Sequence, residues 1–183
     1  ADRAVLVTDR KAAGSDTLAT SYILSQAVKT FNPDLVFCGR QAIDGDTAQT
    51  GPQIGEKLGF AVVTYLEKLD LDGKTAIAVR DIGTGTETCR ASLPALFTVT
   101  EKFGELRPFI MRRVMKCKNA EPEILDCNAI GCDEARCGFA GSPTSVNKIE
   151  SVVLAGGEFK EIPATDEGIN TLVAGLIKDH TIG

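Results

Sequence analysis

A run of roughly 18–20 apolar residues, the length needed to cross a bilayer, is missing from this sequence. Missing too is the basic, apolar and small-residue succession of a secretory signal. The chain is therefore expected to be soluble, with no membrane partner. It also lacks a basic excess: twenty Lys and Arg stand against twenty-five Asp and Glu, a formal net charge of -5. Binding to a phosphate backbone generally demands the opposite sign, so nucleic acid is not an expected partner. Histidine occurs once, as His180, near the C-terminus and with no Ser or Cys nucleophile pattern beside it. That histidine is expected at the surface, and no side chain is assigned a catalytic role. Six cysteines in 183 residues are too few for a disulfide scaffold in a chain long enough to build a core, which favours a reducing, cytoplasmic setting. Neither the G-x-G-x-x-G fingerprint nor the Walker lysine motif is present, which weakens a standard dehydrogenase or P-loop reading.

What is present fits an ordinary globular domain: 43% hydrophobic and 25% charged residues. Ala4 to Thr8 is a short apolar run rich in β-branched residues, with no initiator Met before it, so the chain is expected to begin in mid-domain. A loop, Asp9 to Ser15, leads to a helical stripe of Leu18, Ala19, Tyr22, Ile23, Ala27 and Val28, opened by the N-cap candidates Ser15, Asp16 and Thr17. The grammar then repeats. Asp34 to Cys38 reads as a buried strand ending at Gly39, a helix is expected from about Ala48 to Leu58 with Gly59 closing it, and Ala61 to Tyr65 is a third apolar run. Alternation of this kind argues for parallel βαβ units, whose ligand crevice lies beyond the carboxyl ends of the strands. Asp72-Gly73 between strand-like flanks marks a hairpin, and Thr86 to Ser92 continues an antiparallel insertion. From Phe103 to Asn147 the periodicity weakens and extended or irregular structure is expected. Thr165-Asp166-Glu167 opens a last helix, with Ile169, Leu172, Val173, Leu176 and Ile177 on one face.

The richest loop is Cys38 to Pro52. A strand end, a polar turn and a helix start gather the backbone N–H groups of Ala48, Gln49 and Thr50 around one point, with the positive end of the helix dipole behind them. Thr47, Gln49 and Thr50 add side-chain donors, and Arg40 a charged fork. The plainer alternative is that Asp46 or Thr47 simply caps the helix. The loop Gly14 to Ser21 has the same physics, and two helix starts facing one crevice could hold the two phosphates of a dinucleotide. Ordinary capping, with Thr20 and Ser21 as surface positions, is the competing account there.

Gly39-Arg40-Gln41-Ala42-Ile43-Asp44-Gly45-Asp46-Thr47-Ala48-Gln49-Thr50-Gly51 resembles the nucleotide-binding motif of electron transfer flavoprotein beta subunits. The resemblance extends from Ala1-Asp2-Arg3-Ala4 and Thr8-Asp9 through Ala91 to Leu96 and on to Gly138 to Thr144, with Cys117 to Cys137 a weaker stretch. The family's opening strand and its lysine-glutamine-valine-proline-like segment have no counterpart. The implied fold is α/β, a Rossmann-like (adenine nucleotide alpha hydrolase-like) parallel sheet with an antiparallel insertion and an extended C-terminal arm ending in a helix. Residues 1–102 would form the nucleotide-binding domain, and residues 103–183 an arm and helix docking on the alpha subunit. The Gly14 to Ser21 loop resembles the FAD-binding, bifurcating subfamily of anaerobic bacteria, in which FAD accepts hydride from NADH. AMP, held by relatives without that loop, is the alternative.

Carried over by position, Thr47, Ala48, Gln49 and Thr50 would cradle phosphate, and Asp44 and Asp46 would shape the turn. Cys38, Gly39, Arg40 and Gln41 would line the crevice, while Asp16, Thr17 and Thr20 would serve a second phosphate or the ribityl chain, with Asp9 just upstream. Ala48 replaces an asparagine of some AMP-binding members, so contact there would be through backbone. Leu93 and Pro94 resemble the tip of a recognition loop for an acyl-CoA dehydrogenase. A nucleotide-binding sensor module on the same fold is the competing functional class. Cys117, Cys127, Cys132 and Cys137 are separated by nine, four and four residues. Since paired C-x-x-C spacing is absent, free thiols and no metal are expected.

Overall fold

The computed structural model describes residues 2–148 and 161–182. They fall into two compact units, Ala1–Ser145 and Val146–Gly183. In the first, β1 (Val5–Val7), α1 (Thr17–Lys29), β2 (Leu35–Gly39), α2 (Thr50–Leu58) and β3 (Ala61–Asp72) follow one another as the alternating pattern predicts. Next come β4 (Thr75–Asp81), β5 (Thr86–Ser92), β6 (Ala95–Val99), α3 (Met111–Cys117) and β7 (Glu123–Leu125).

Five strands form one sheet in the order β2-β6-β3-β4-β5. β2, β6 and β3 run parallel, and β4 and β5 are added antiparallel. The α/β class and the antiparallel insertion are as expected. The strand at the centre of the parallel part, β6, is the one that the periodicity does not reveal. Its residues Ala95 to Thr98 are all buried because β6 is flanked by strands on both sides, and a strand of this kind reads as a short apolar run without alternation. Beneath the sheet, Val63, Leu66, Ala76, Ala78 and Phe97 form the main core. β3 bulges between Val63 and Leu66, where Tyr65 takes φ 57° and its amide donates to the Thr98 hydroxyl at 3.1 Å. The buried polar side chain of Thr98 thus satisfies a backbone group that the irregular ladder would leave unpaired.

The expected boundary at residues 102 and 103 does not hold. Leu106 to Ile110 are exposed and extended, but β7 returns to pair in parallel with β1, from Val5 opposite Glu123 to Val7 opposite Leu125. The loop after β7 then packs on α1, where Tyr22, Ile23 and Ala27 meet Cys127, Ile130 and Cys137. This second core keeps the residues up to Ser145 in the first unit. The second unit carries α4 (Asp166–Lys178), which Thr165 caps by accepting the Gly168 amide, as the sequence predicts. Ile169, Leu172, Val173 and Ile177 of its apolar stripe are exposed.

Candidate nucleotide site

The site begins where β2 ends at Gly39, at the carboxyl end of the parallel strands, the place at which α/β sheets open a crevice. α2 must lie close to the sheet to aim its first turn into that crevice, and two glycines one turn apart permit it. A Cβ on Gly51 would stand 2.8 Å from the Thr98 Cγ2, and one on Gly55 would stand 2.3 Å from the Val62 Cγ2. Gly59 ends the helix in the left-handed conformation, φ 69°, which suits a residue without a Cβ.

The two helix starts are chemically unlike. At α2 the N-cap residue, Gln49, makes no side-chain cap hydrogen bond. The first intrahelical donor to find a partner is Gln53, whose amide reaches the Gln49 carbonyl at 3.0 Å, and Pro52 has no N–H. The Thr50 and Gly51 amides are thus turned outward at the positive end of the dipole. At α1 the donors of the second and third positions are taken. Asp16 Oδ1 accepts the Leu18 amide at 2.9 Å and the Ala19 amide at 3.0 Å, and the Thr20 amide reaches the Asp16 carbonyl at 2.9 Å. The other oxygen, Oδ2, accepts from the Thr144 hydroxyl at 2.8 Å and the Thr144 amide at 3.2 Å. The two helix starts are thus not equivalent toward a dinucleotide: a carboxylate caps α1 on its Leu18 and Ala19 amides, and the first turn without a side-chain cap is that of α2.

Asp16 titrates accordingly. Its partial burial raises the pKa, but the hydrogen bonds from the Ala19 amide and from Thr144 outweigh that, and the carboxyl group lies below its usual range. A depressed carboxylate stabilises the fold above the unfolded-state value near ~3.9, and that stabilisation is lost as pH falls through the folded-state value. Asp16→Ala is expected to cost about 1 kcal/mol of stability at neutral pH, the usual loss on deleting an N-cap. The melting-temperature difference between the two proteins should shrink as the buffer is taken below pH ~4. A difference unchanged into acid would show that the carboxylate is not the source.

The loop between β2 and α2 is held in a conformation that side chains rarely favour. Asp46 and Ala48 take φ 49° and 53°. The Asp46 amide donates to the Ala42 carbonyl at 2.9 Å, and the Gln41 side-chain amide donates to Asp46 Oδ1. Left-handed non-glycine residues cost of order 1–3 kcal/mol each and gather at ligand clamps. Across the crevice the Thr17 hydroxyl donates to Gln49 Oε1 at 3.1 Å, and the Ser21 hydroxyl to Gln53 Oε1 at 2.9 Å, which fixes α1 beside α2.

Between these elements lies a cavity of about 490 Å³. Thr17, Thr20, Cys38, Gly39, Arg40, Gln41, Thr47, Ala48, Gln49 and Thr50, all singled out in the sequence, line it. Four others do not. Asp44 and Asp46 lie in the loop but outside the wall, consistent with a turn-shaping part. Asp16 is occupied as described. Asp9 accepts the Lys11 amide on one oxygen and the Cys127 amide on the other, 3.0 and 3.1 Å away, and these two bonds lower its pKa. Its position ties the start of the chain to the loop after β7. Leu24, Ile54, Ala42, Gly45 and Gly51 also line the cavity and were not foreseen. Leu24 is four residues after Thr20 and seven after Thr17, so the helical period alone places all three on one face. Burial pushes the Cys38 thiol up, which keeps it neutral toward an anionic ligand.

A larger hollow, about 850 Å³, lies between the extended residues from Leu106 to Ile110 and α3. Its wall is mainly apolar, and α3 has only seven residues. The smaller cavity holds the helix start, the four threonine hydroxyls at positions 17, 20, 47 and 50 and the arginine. The donor set, not the volume, makes it the candidate ligand site. A phosphate would meet the α2 amides and the Thr47 and Thr50 hydroxyls, with the apolar Leu24 and Ile54 left for a flatter, less polar part of the ligand.

Leu93, offered in the sequence as a partner contact, is half-buried against the main core, and its amide donates to the Lys74 carbonyl at 2.9 Å. Pro94 beside it is exposed, so a partner reaching this corner would meet the proline ring more readily than the leucine.

The sequence is similar to those of known proteins. The electron transfer flavoprotein domain matches residues 1–126. The electron transfer flavoprotein subunit beta of Clostridium acetobutylicum is 38% identical over 183 residues, covering all of this chain and 70% of that protein. The subunit of the same name from Megasphaera elsdenii is 42% identical over 156 residues, covering 81% of this chain and 58% of that one. The caffeyl-CoA reductase-Etf complex subunit CarD of Acetobacterium woodii is 36% identical over 184 residues, covering all of this chain and 70% of that subunit. The chain thus spans between 58% and 70% of the length of these relatives.

Proposed function

Because the chain belongs to the electron transfer flavoproteins, and within them to the beta subunits, we propose that it holds an adenine nucleotide with a phosphate at the start of α2. The observation that carries this reading is the uncapped first turn of α2, set in a cavity walled by threonine hydroxyls while Asp16 caps the neighbouring helix. FAD is the ligand we favour, from the resemblance of the Gly14 to Ser21 loop. The Asp16 cap takes the Leu18 and Ala19 amides, and the Thr17 hydroxyl donates to Gln49, so a second phosphate would be met first by the Thr20 hydroxyl. AMP, with one phosphate, needs only the α2 start and is the alternative.

FAD, when bound, would supply hydride acceptance from NADH and onward electron transfer, including by bifurcation. The chain's own residues bind and orient. Thr47, Thr50 and the α2 amides hold the phosphate, Arg40 adds positive charge, and Leu24 and Ile54 keep water from one wall. None of them is required to carry a proton. The electrons would pass to an alpha subunit and then to an acyl-CoA dehydrogenase. The name of the Acetobacterium relative, which joins an Etf to a caffeyl-CoA reductase, supports that direction. An exposed apolar band supports a protein partner: Leu106 and Phe109 are 97% and 96% exposed, and Met111 and Met115 are exposed beside them. Among the described residues no helix is long and apolar enough to cross a membrane.

The test is direct. The purified chain is titrated calorimetrically with FAD and with AMP, and any nucleotide that copurifies is released by heat and identified. FAD is expected to bind, AMP to compete with it, and NADH to bleach the flavin absorbance under anaerobic conditions. Binding of neither nucleotide would end the proposal, and FAD binding that AMP does not oppose would remove the phosphate from the α2 start.

A further inference from the structure

Away from the nucleotide cavity, the structure gathers side chains that the sequence shows only as scattered. Cys127, Cys132 and Cys137 bring their Sγ atoms to within 4.8 Å of one another. Cys127 and Cys137 are 0% and 2% exposed, and Cys132 is half-buried. Cys117, the fourth thiol of the stretch, lies exposed on α3 and takes no part.

The backbone accounts for the convergence. The Cys132 amide donates to the Cys127 carbonyl at 2.8 Å, which folds the first five residues back on themselves. Asp133 then accepts the Ala135 amide at 3.0 Å, the Cys137 amide reaches the Glu134 carbonyl at 3.1 Å, and the Cys137 thiol donates to the Asp133 carbonyl at 3.3 Å, so a tighter turn over residues 133–137 brings back the third sulfur. Each turn returns a thiol to the same point. α1 supports the far wall with Tyr22, Ile23 and Ala27, and the Tyr22 hydroxyl accepts the Asp133 amide at 2.9 Å. The loop is built by its own hydrogen bonds, so the three sulfurs are placed before any ion arrives.

An ion held by three thiolates at about 2.3 Å in tetrahedral geometry sets its sulfurs about 3.8 Å apart. From at most 4.8 Å, the cluster would have to contract by no more than about 1 Å. A donor set of sulfur alone selects soft cations over magnesium, calcium or manganese. The single histidine of the sequence, His180, belongs to the other unit. We propose that Cys127, Cys132 and Cys137 form a three-thiolate site for a soft d10 cation, zinc(II) or copper(I), which pins the loop of residues 126–142 against α1. On binding, the three thiol protons pass to solvent, and no electron is exchanged. The far end of the same loop reaches the start of α1, where the Gly138 amide donates to the Ser15 hydroxyl at 3.0 Å and Thr144 holds Asp16. An ion in the cluster would therefore brace the helix that forms one side of the nucleotide cavity.

The experiment uses the full chain, reduced and stripped of metal, with zinc chloride in one arm and anaerobic copper(I) in the other. Each sample is alkylated with N-ethylmaleimide, and the modified cysteines are mapped by peptide mass. With free ion about 100-fold above its dissociation constant, Cys127, Cys132 and Cys137 are expected to react together roughly 100-fold more slowly, and Cys117 at an unchanged rate. The arm that protects at the lower free concentration names the ion. Because replacing a fully buried thiol could unfold the loop, the variant is Cys132→Ser at the half-buried position, which should abolish the joint protection. Failure of both ions to protect, protection that survives in C132S, or protection confined to Cys38 and Cys89 would each overturn the proposal. So would a disulfide among the three in fresh protein that takes up no ion after reduction. None of these outcomes depends on nucleotide binding, so this proposal and the preceding one stand or fall separately.

Discussion

Gln49→Asp should empty the nucleotide cavity while leaving the fold as stable as before or slightly more so. Gln49 is the N-cap residue of α2 and makes no cap hydrogen bond with its side chain, so the first-turn amides remain available to a ligand. A carboxylate one atom shorter, placed at the same point, acts twice. It offers the Gly51 amide an internal acceptor and complements the helix dipole, each favourable to the folded chain by some tenths to about 1 kcal/mol. It also sets a negative charge against the bound phosphate. Two unit charges about 4 Å apart repel by about 4 kcal/mol at the effective dielectric near a protein surface. Allowing half of that for screening leaves about 2 kcal/mol, or roughly a 30-fold loss of affinity for FAD or AMP. The opposite signs make the experiment decisive, since calorimetric affinity should fall while the melting temperature does not. Affinity within a factor of two of the parent would mean that the phosphate does not sit at the start of α2. The substitution also removes the acceptor of the Thr17 hydroxyl, so Gln49→Glu, which keeps the reach of the native side chain, should show the loss of affinity with that contact retained.

The sign of that prediction rests on a difference between two helices that the sequence does not display. Asp16-Thr17 and Asp46-Thr47 look alike as strings, and both precede a helix. In the structure Asp16 takes an extended conformation as N-cap and folds its carboxylate onto the amides of Leu18 and Ala19, while Asp46 sits in a left-handed turn three residues before the Gln49 cap. Capping is decided by one residue of register, and residue type alone does not supply it. The cavity wall was more legible. Eight residues named between Cys38 and Thr50 line one space because strand, loop and helix are consecutive, and local sequence order nearly dictates their proximity, while Thr17 and Thr20 come to it from α1. Leu24 and Ile54 lay within reach of the helical period.

Legibility failed where distant segments meet. β7 pairs with β1 across more than a hundred residues, and nothing in Glu123–Leu125 announces a partner at Val5–Val7. The cysteine cluster was hidden for a related reason. Spacing rules for thiolate sites describe tight C-x-x-C knuckles, whereas here a turn closed from Cys132 to Cys127 and a tighter one closed from Cys137 to Glu134 bring three thiols five residues apart to one place. Such turns depend on Asp133 and on the packing of Tyr22, which lies 105 positions before Cys127 by number and adjacent to the loop in space. Periodicity reports which face of an element is buried, not what it is buried against.

Phe97→Ala should be the most damaging single substitution in the sheet, at about 3–5 kcal/mol, the range for deleting a buried phenylalanine. Phe97 is fully buried on β6, opposite Phe37 on β2 and Val63 on β3, and its ring stacks on that of Phe37 with centroids 5.6 Å apart. Its removal strips contacts from both parallel neighbours at once, and alanine leaves a void that a strand hydrogen-bonded on both sides cannot close. Against a total stability of typically 5–15 kcal/mol, this is a large fraction. The functional consequence follows from the next residues along the same ladder. Cys38 and Gly39, the floor of the nucleotide cavity, pair with Thr98 and Val99 immediately beyond Phe97. Thr98 in turn packs against Gly51 at the start of α2 and holds the irregular amide of Tyr65. Loosening β6 therefore releases the strand end and the helix start together. Urea unfolding of the variant should show a midpoint lowered in proportion, with an unchanged slope if the transition stays cooperative. Saturating nucleotide should raise that midpoint again, because binding to the folded state alone stabilises it by mass action. A variant that unfolds at the parent midpoint would show that the parallel ladder does not depend on this ring.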